Sequence, residues 1–598
     1  MKSSQTQTRN LIDVAMGRLP ADLVIRDGIW VCVQTGEFIK NTDIAIKDGQ
    51  IAFIGADALH CIGKETKVIK AHGRYLVPGL LDAHMHVESG MLSVTEFVRA
   101  VIPHGTTGMF IDPHEIANVF GLDGVRLMVD EAKLQPIHVW VQIPSCVPSS
   151  PDFETSGASL SSQEVGQALT WEGVIGLGEV MDYLGVANGD EKMLTELAAA
   201  RQAGKVIGGH YASTDLGYPF HGYLAGGAED DHEGTTLEGA VERARQGMKV
   251  MLRYGSAWQD VIEQVKAITV KGLDSRHFIL CTDDSHAGTL HLDGHMDRVL
   301  RHAIQQGLKP MTAIQMATIN TAEHFGLGRE IGMLAPGRWA DVVFVEDLNN
   351  FRAALVIARG VVAAEVGKLL LKQPDISMPD WVTNSVHLSH LLTVDSFKLK
   401  VDGTLKSKNV LTANVIGIVE NQAVTRHMKM DVNLNSDEVH SDLKNDIAKV
   451  ALVDRHRATK EIQMGLVHGF GFDKSCAVAT TVSHDSHQLI VIGTDDACMA
   501  MAANKLHEVG GGQVVVREQQ VIGLVELPIA GLMSSESAPV VAAKVASILN
   551  GFKDCGCRLN NPNMQLSLLA LVVIPELRLS DRGLVEVNNM KVLPVLEG

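Results

Sequence analysis

Positive charge is scarce in this chain. Its 598 residues carry 52 Lys and Arg against 70 Asp and Glu, a formal net charge of −18. A nucleic-acid partner needs a basic face that displaces phosphate counterions, so the balance argues against one, and against an anionic membrane surface too. Long apolar runs are missing as well. The longest, such as Leu568 to Ile574, fall far short of the ~18 residues that a membrane span requires. Met1-Lys-Ser-Ser-Gln-Thr-Gln-Thr-Arg-Asn10 has no apolar core of the signal-peptide kind. Cysteine is thin: eight residues scattered over this length make no disulfide framework. Cys555-Gly-Cys557 is the only close pair, with no second pair to complete a zinc site. A cytoplasmic, reduced, globular protein is expected, with 46% apolar and 20% charged residues. Length alone predicts about three to four domains.

What is present begins with strand-like segments bounded by turns. Ala21-Asp-Leu-Val-Ile-Arg26, Trp30-Val-Cys-Val33, Asp43-Ile-Ala-Ile46 and Gln50-Ile-Ala-Phe-Ile54 alternate as in a small β-sandwich. A matching piece returns in Gly332-Met-Leu-Ala-Pro-Gly-Arg-Trp-Ala-Asp-Val-Val-Phe-Val345. A sandwich split around an inserted domain explains both, with residues 1–75 and 331–375 as its two parts. Between them, over residues 76–330, strands are expected at Tyr75–Ala83, Thr107–Ile111, Ile137–Ile143, Val174–Gly178, Lys205–Gly209, Leu224–Asp231, Lys249–Arg253 and Phe278–Thr282, with helices intervening. That alternation over roughly 250 residues predicts an α/β fold built on a (β/α)8 barrel. Residues 376–598 read as a further α/β domain, with strands at Ala477–Val482, Gln488–Gly493, Gln513–Arg517 and Val521–Leu527 and a helix over Ala497–Val509. Pro374, Pro379 and the polar run Asn435 to Asp442 mark linkers or surface loops.

The chemistry is concentrated at strand ends. Leu76-Val-Pro-Gly-Leu-Leu-Asp-Ala-His-Met-His-Val-Glu88 leaves a Pro-Gly turn as an apolar strand and finishes on His84-x-His86. Side chains two apart on a strand share a face, so both imidazoles can hold one ion. Glu179 ends the fourth strand, His210 the fifth, His232 the sixth and Asp283 the eighth. Catalytic groups of such a barrel sit at the carboxyl ends of its strands, and every one of these does. Singly, each has an ordinary reading: a surface histidine, a helix-capping Glu. Jointly, four histidines and two carboxylates exceed what one ion needs and suit two ions bridged by a carboxylate, in a metal-dependent hydrolase.

The H-x-H, the Pro336-Gly-Arg-Trp-Ala-Asp341 turn of the split sandwich and the terminal Thr282-Asp283 resemble the amidohydrolase superfamily. Glu179, where many relatives carry a carboxylated lysine, together with Asp230-Asp-His-Glu-Gly-Thr235 and the extra C-terminal domain, is similar to the bacterial adenine deaminases. That resemblance covers essentially the whole chain. It implies hydrolytic deamination of adenine to hypoxanthine and ammonia, a purine-salvage reaction. It further implies one ion on His84, His86, Glu179 and Asp283, and a second on Glu179, His210 and His232. The family uses manganese or iron, with zinc a further option, and carboxylate-plus-imidazole ligation without thiolate fits those metals. Superfamily analogy makes Asp283 the proton acceptor. Asp284, next to it, faces away if the strand continues. Ile111-Asp-Pro-His-Glu115 resembles a base-contacting segment, in which Asp112 and Glu115 read the purine edge, one of them protonated and donating; a Pro turn with helix-capping acids is the alternative. Glu88 is a supporting partner or a loop ion pair, and Ser285 and His286 are placed to reach substrate.

Three rival readings follow. Another amidohydrolase with the same metals, acting on a cyclic amide or N-acyl substrate, is the nearest. A cytidine-deaminase zinc site would use His86-Val-Glu88, but no Pro-Cys-x-x-Cys follows. A non-catalytic barrel scaffold would have lost ligands, and none of the six is lost. In the C-terminal region, Thr481-Val-Ser-His-Asp-Ser-His487 and Gly493-Thr-Asp-Asp496 read first as solvated turns, with a second metal site or a loop closing over the barrel mouth as alternatives. A homo-oligomer, a dimer first, is expected.

Overall fold

A computed structural model describes residues 4–401, 403–407, 409–435 and 437–597. Met1–Ser3 of the polar N-terminus and Ser436 of the polar run lie outside the described residues. Strands from both ends of the barrel segment share one nine-stranded sheet. Leu23–Cys32 pairs antiparallel with Glu37–Lys47 and parallel with Tyr75–Pro78, and Tyr75–Pro78 pairs antiparallel with Val342–Val345. Ala353–Ala358, Val361–Glu365 and Lys368–Leu369 extend the sheet beyond it.

The expected first barrel strand therefore divides. Tyr75–Pro78 belongs to the outer sheet, and only Leu80–His86 enters the barrel. Gly79 makes the crossing possible: a Cβ there would lie 2.0 Å from Thr107 Oγ1 and 2.9 Å from Asp341 Cβ, so only glycine fits between the two sheets.

The barrel strands are parallel. Val206–Gly209, Val174–Val180, His138–Ile143, Thr106–Ile111, Leu80–His86 and Asp283–Asp284 form one sheet, and Asp230–Asp231, Lys249–Arg253 and Phe278–Cys281 another. Side chains bridge the two seams. Gly209 N donates to Asp230 Oδ1 at 2.9 Å, and Thr282 donates to Asp82 through its amide at 3.0 Å and its hydroxyl at 2.6 Å. Leu81, Phe110, Trp140, Ile175, Val206, Met251 and Ile279 pack in one cluster, which a flat sheet could not gather. The domain is of the (β/α)8 type. The expected strand Leu224–Asp231 is corrected. Tyr218–Gly226 is a helix with Pro219 at its start and Phe220 and Tyr223 buried at i, i+3 spacing; Gly227, at φ 112°, ends it, leaving only Asp230–Asp231 as strand.

The C-terminal region carries an eleven-stranded sheet and a three-stranded one. Cys476–Thr480, Leu489–Gly493, Gly512–Arg517 and Gln520–Glu526 are the strands expected there, and Asp496–Val509 is the expected helix. The region docks on the barrel through backbone and apolar contacts. Ser93 N donates to Ser534 O at 3.0 Å, Ser534 N to Met91 O at 2.9 Å, and Leu532, Met533 and Val541 join the core that holds Leu92 and Phe97. All eight cysteines are buried and unbridged. Among the described residues, no helix is long and apolar enough to cross a membrane.

Candidate metal centre and active site

Five side chains from four strand ends gather around the carboxylate of Glu179, which ends a fifth strand. Glu179 Oε1 lies 2.8 Å from His84 Nε2, 3.0 Å from His86 Nε2 and 3.3 Å from His232 Nε2. Its Oε2 lies 3.8 Å from His210 Nε2. Asp283 Oδ1 is 3.3 Å from His86 Nε2. All but His210, which is partly open, are buried. Ligand atoms of His84, Glu179, His232 and Asp283 all fall within 4.8 Å of one another.

The donor set fits divalent cations. His86 Nδ1 donates to the Asp112 carbonyl at 2.9 Å, which fixes the tautomer and leaves Nε2 its lone pair. His84 Nε2 lies only 3.2 Å from that atom, and the His84 and His232 rings stack at 4.1 Å. Nitrogen lone pairs crowded around a carboxylate need a cation among them. Without one the charges compensate locally. Burial opposes a charged His86, yet Glu179 and Asp283 outweigh it and push its pKa well above the ordinary value. Burial likewise works against an ionised Glu179, and the surrounding histidines hold it well below the carboxylate range.

Asp283 adopts φ 59°, a left-handed conformation that Asp tolerates better than most residues. Arg253 Nη1 donates to its Oδ2 at 2.9 Å, and the same guanidinium pairs with Glu233 and, at 2.9 Å, with Asp260. Burial opposes the Asp283 charge, and the contacts with His86 and Arg253 hold its carboxyl below the ordinary value. Glu233 also stands 3.7 Å from both His210 and His232. Glu233 and Arg253 escaped the sequence reading, although a signal existed. Glu233 directly follows His232, and Arg253 is a charged residue ending a barrel strand.

The remaining expected residues divide. Asp112 is fully buried, and its Oδ2 accepts from Glu179 N at 2.7 Å. It makes no capping bond to its own helix, His114–Lys133. Gly178 admits this contact, since a Cβ there would sit 2.2 Å from Asp112 Oδ2. Glu115 and Glu88 instead line a cavity between the barrel mouth and the C-terminal region, with Ser89, His286 and His484. Glu88 accepts weakly from Ile116 N at 3.4 Å; burial, then the charge of Glu115, pushes its pKa up to about 7. Ser285 is buried, its carbonyl beneath Gly90, while His286 reaches the cavity. Asp284 turns to Ser89, whose hydroxyl donates to it.

The solvated-turn reading of the C-terminal loops is corrected. His487 is fully buried, and both His484 and His487 pair with Glu115. Gly493 ends a strand and Asp495 caps the following helix, its side chain accepting from Cys498 N, while Asp496 pairs with the buried Lys449.

The amidohydrolase family profile matches residues 75–363, and the profile of the adenine deaminase C-terminal domain matches residues 422–591. The chain is 57% identical over 582 residues to an adenine deaminase of Mesorhizobium japonicum, covering 97% of this chain and 96% of that one. The chain belongs to the adenine deaminase family. An adenine deaminase of Rhizobium meliloti is 55% identical, with 98% of each chain covered, and one of Moorella thermoacetica is 46% identical, covering 99% of this chain and 98% of that one. Membership in this amidohydrolase family, together with the ligand cluster, makes the protein dependent on divalent metal.

Proposed function

We propose that the protein hydrolyses adenine to hypoxanthine and ammonia, a purine-salvage reaction, at a site holding two divalent ions. Manganese or iron suits the ligands best, with zinc a further option. One ion is assigned to His84, His86, Glu179 and Asp283, the second to Glu179, His210 and His232. The observation that carries the reading is the near-full-length match to adenine deaminases in a chain whose five other candidate ligands gather around Glu179.

Divalent ions in this set supply Lewis acidity, which brings the pKa of water toward neutrality. The chain's own residues do the rest. Asp283, oriented by Arg253, accepts the proton of the attacking water and passes it to the departing amine. The C6–N bond breaks, a C6–O bond forms, and ammonia leaves. Glu88, with its carboxyl pushed up to about 7, faces the base edge from the cavity wall and protonates the ring nitrogen where charge develops, while the Glu115 carboxylate beside it orients the base. Asp112, assigned to the base edge by the sequence motif, is placed to support that role indirectly by fixing the amide of Glu179. Ser285 shapes the same wall through the His286 loop. The outer sheet, with residues 1–75, the Tyr75–Pro78 strand and 331–375, closes as a split sandwich around a barrel that fills the rest of residues 76–330; residues 376–598 form the C-terminal domain, and the assembly is a cytoplasmic homo-oligomer, a dimer first.

Ammonia release from a panel of purines, cyclic amides and N-acyl compounds, with manganese-reconstituted protein, tests the reading. Adenine is expected to be preferred; turnover of a cyclic amide with adenine untouched contradicts it.

A further inference from the structure

Glu115 stands at the start of the helix His114–Lys133, at the barrel mouth, and both of its carboxylate oxygens are engaged from the other domain. Oε1 stands 2.8 Å from His484 Nδ1 in an ion pair, and Oε2 accepts from His487 Nε2. We propose that His484 and His487 are positioning residues of the active site, holding the Glu115 carboxylate at the cavity wall. The C-terminal domain thus completes a site that the barrel alone leaves unfinished. This rests on the assignment of Glu115 to the substrate's base edge.

The tautomer of His487 follows from its second contact. Its Nδ1 accepts from Ser483 N at 3.2 Å, so the ring proton resides on Nε2 and points at Glu115. A metal ligand would need that lone pair, and a neutral ring has only one to give. The cluster of Glu115, His484 and His487 is therefore a hydrogen-bonded clamp, not a third ion site. Burial keeps the His487 ring below its ordinary pKa, and the nearby His484 and Arg455 act in the same sense, while Glu115 acts in the opposite one.

The loop that carries the pair is held from several sides. His487 N donates to Ser483 O at 2.7 Å, and His484 N to Ser567 O at 3.1 Å. Thr481 Oγ1 donates to Gly531 O at 2.6 Å. The fully buried Arg455 donates through Nε to the His487 carbonyl and through its terminal nitrogens to Ser385 O and Ala530 O, each at 3.0 Å. Burial pushes that guanidinium down to about 9. Among the described residues it donates to three carbonyls and the Ser385 hydroxyl rather than to a carboxylate. Docking of the domains has its own contacts, at Ser93 and Ser534 and through the shared apolar core. An arrangement so constrained around one carboxylate fixes its rotamer, and fixed geometry is what a group acting on substrate requires.

The test compares substitutions that remove the donor with ones that replace it. His487→Leu and His484→Leu remove it; His487→Gln and His484→Asn keep an N–H near the same point. Steady-state kinetics on adenine and metal content are measured for each in the full-length holoenzyme, and the Leu substitutions are repeated in a Glu115→Gln background. The Leu variants are expected to keep wild-type metal and KM while kcat falls about 100-fold, with much of the loss recovered in the amide variants. In the Glu115→Gln background they are expected to add no more than about 2-fold. Unchanged kcat overturns the proposal. So does a full additional loss in the Glu115→Gln background, which makes the pair merely structural, and so does metal lost in step with rate, which makes the cluster an ion site. Wild-type protein inactive on adenine removes the substrate reading and this proposal together; an active wild type with indifferent variants removes this proposal alone.

Discussion

Glu179 faces four histidines from three different strand ends, three on Oε1 and one on Oε2. Two cations held together there repel strongly in a poorly screened interior unless a carboxylate lies between them. Glu179→Gln is therefore expected to lose both ions or nearly all turnover, measured by metal analysis beside the rate; two retained ions with a near-normal rate would reduce Glu179 to a structural group. Glu115 differs in kind, because it touches the cavity and not the ligand cluster. Glu115→Gln is expected to keep its metal while kcat/KM for adenine falls by about 10²-fold, the usual cost of losing a group that positions substrate. An unchanged rate would return the Asp112–Glu115 segment to a plain turn.

Strand ends were the legible elements. A parallel barrel exposes chemistry only where strands stop, so His84, His86, Glu179, His210, His232 and Asp283 could be read from pattern and order alone. The same rule, applied to charge as well as to typical ligands, reaches Glu233 and Arg253. Two element boundaries were not legible. Pro78-Gly79 marks a turn after Tyr75, but nothing local shows that Tyr75–Pro78 leaves for another sheet; the steric approach of Thr107 and Asp341, from elsewhere in the chain, enforces the break. Tyr218–Gly226 is short and ends in Gly-Gly, so its apolar residues also fit a strand. The clamp was beyond reach, since His487 meets Glu115 across 372 residues of sequence. The loop bearing it carries a pH signature. His484 is pushed up to about 9: burial opposes its charge, and Glu115, Asp485 and Asp284 outweigh that, with His286 and His487 on the unfavourable side. A raised folded-state pKa contributes stability that is whole below the ordinary value of 6.5 and lost as pH climbs through about 9. Thermal midpoints between about pH 6.5 and 9.5 are expected to fall more steeply for wild type than for His484→Asn, and parallel curves would deny the ion pair.

At the scale of the molecule, three sheet systems serve one mouth. The outer sheet abuts the amino-terminal end of the first barrel strand, the barrel gathers the candidate ligands at the opposite end, and the C-terminal domain roofs the cavity there. An acidic surface, with a net charge of −18, is compatible with a small neutral base that needs no electrostatic steering. The central claim is that two ions around Glu179 act together on adenine. Metal-free protein titrated with manganese, with adenine-dependent ammonia release followed against bound metal per chain, tests it most directly. Turnover is expected to rise until two equivalents are bound and then to level; full activity at one equivalent, or two bound ions without ammonia from adenine, would contradict it.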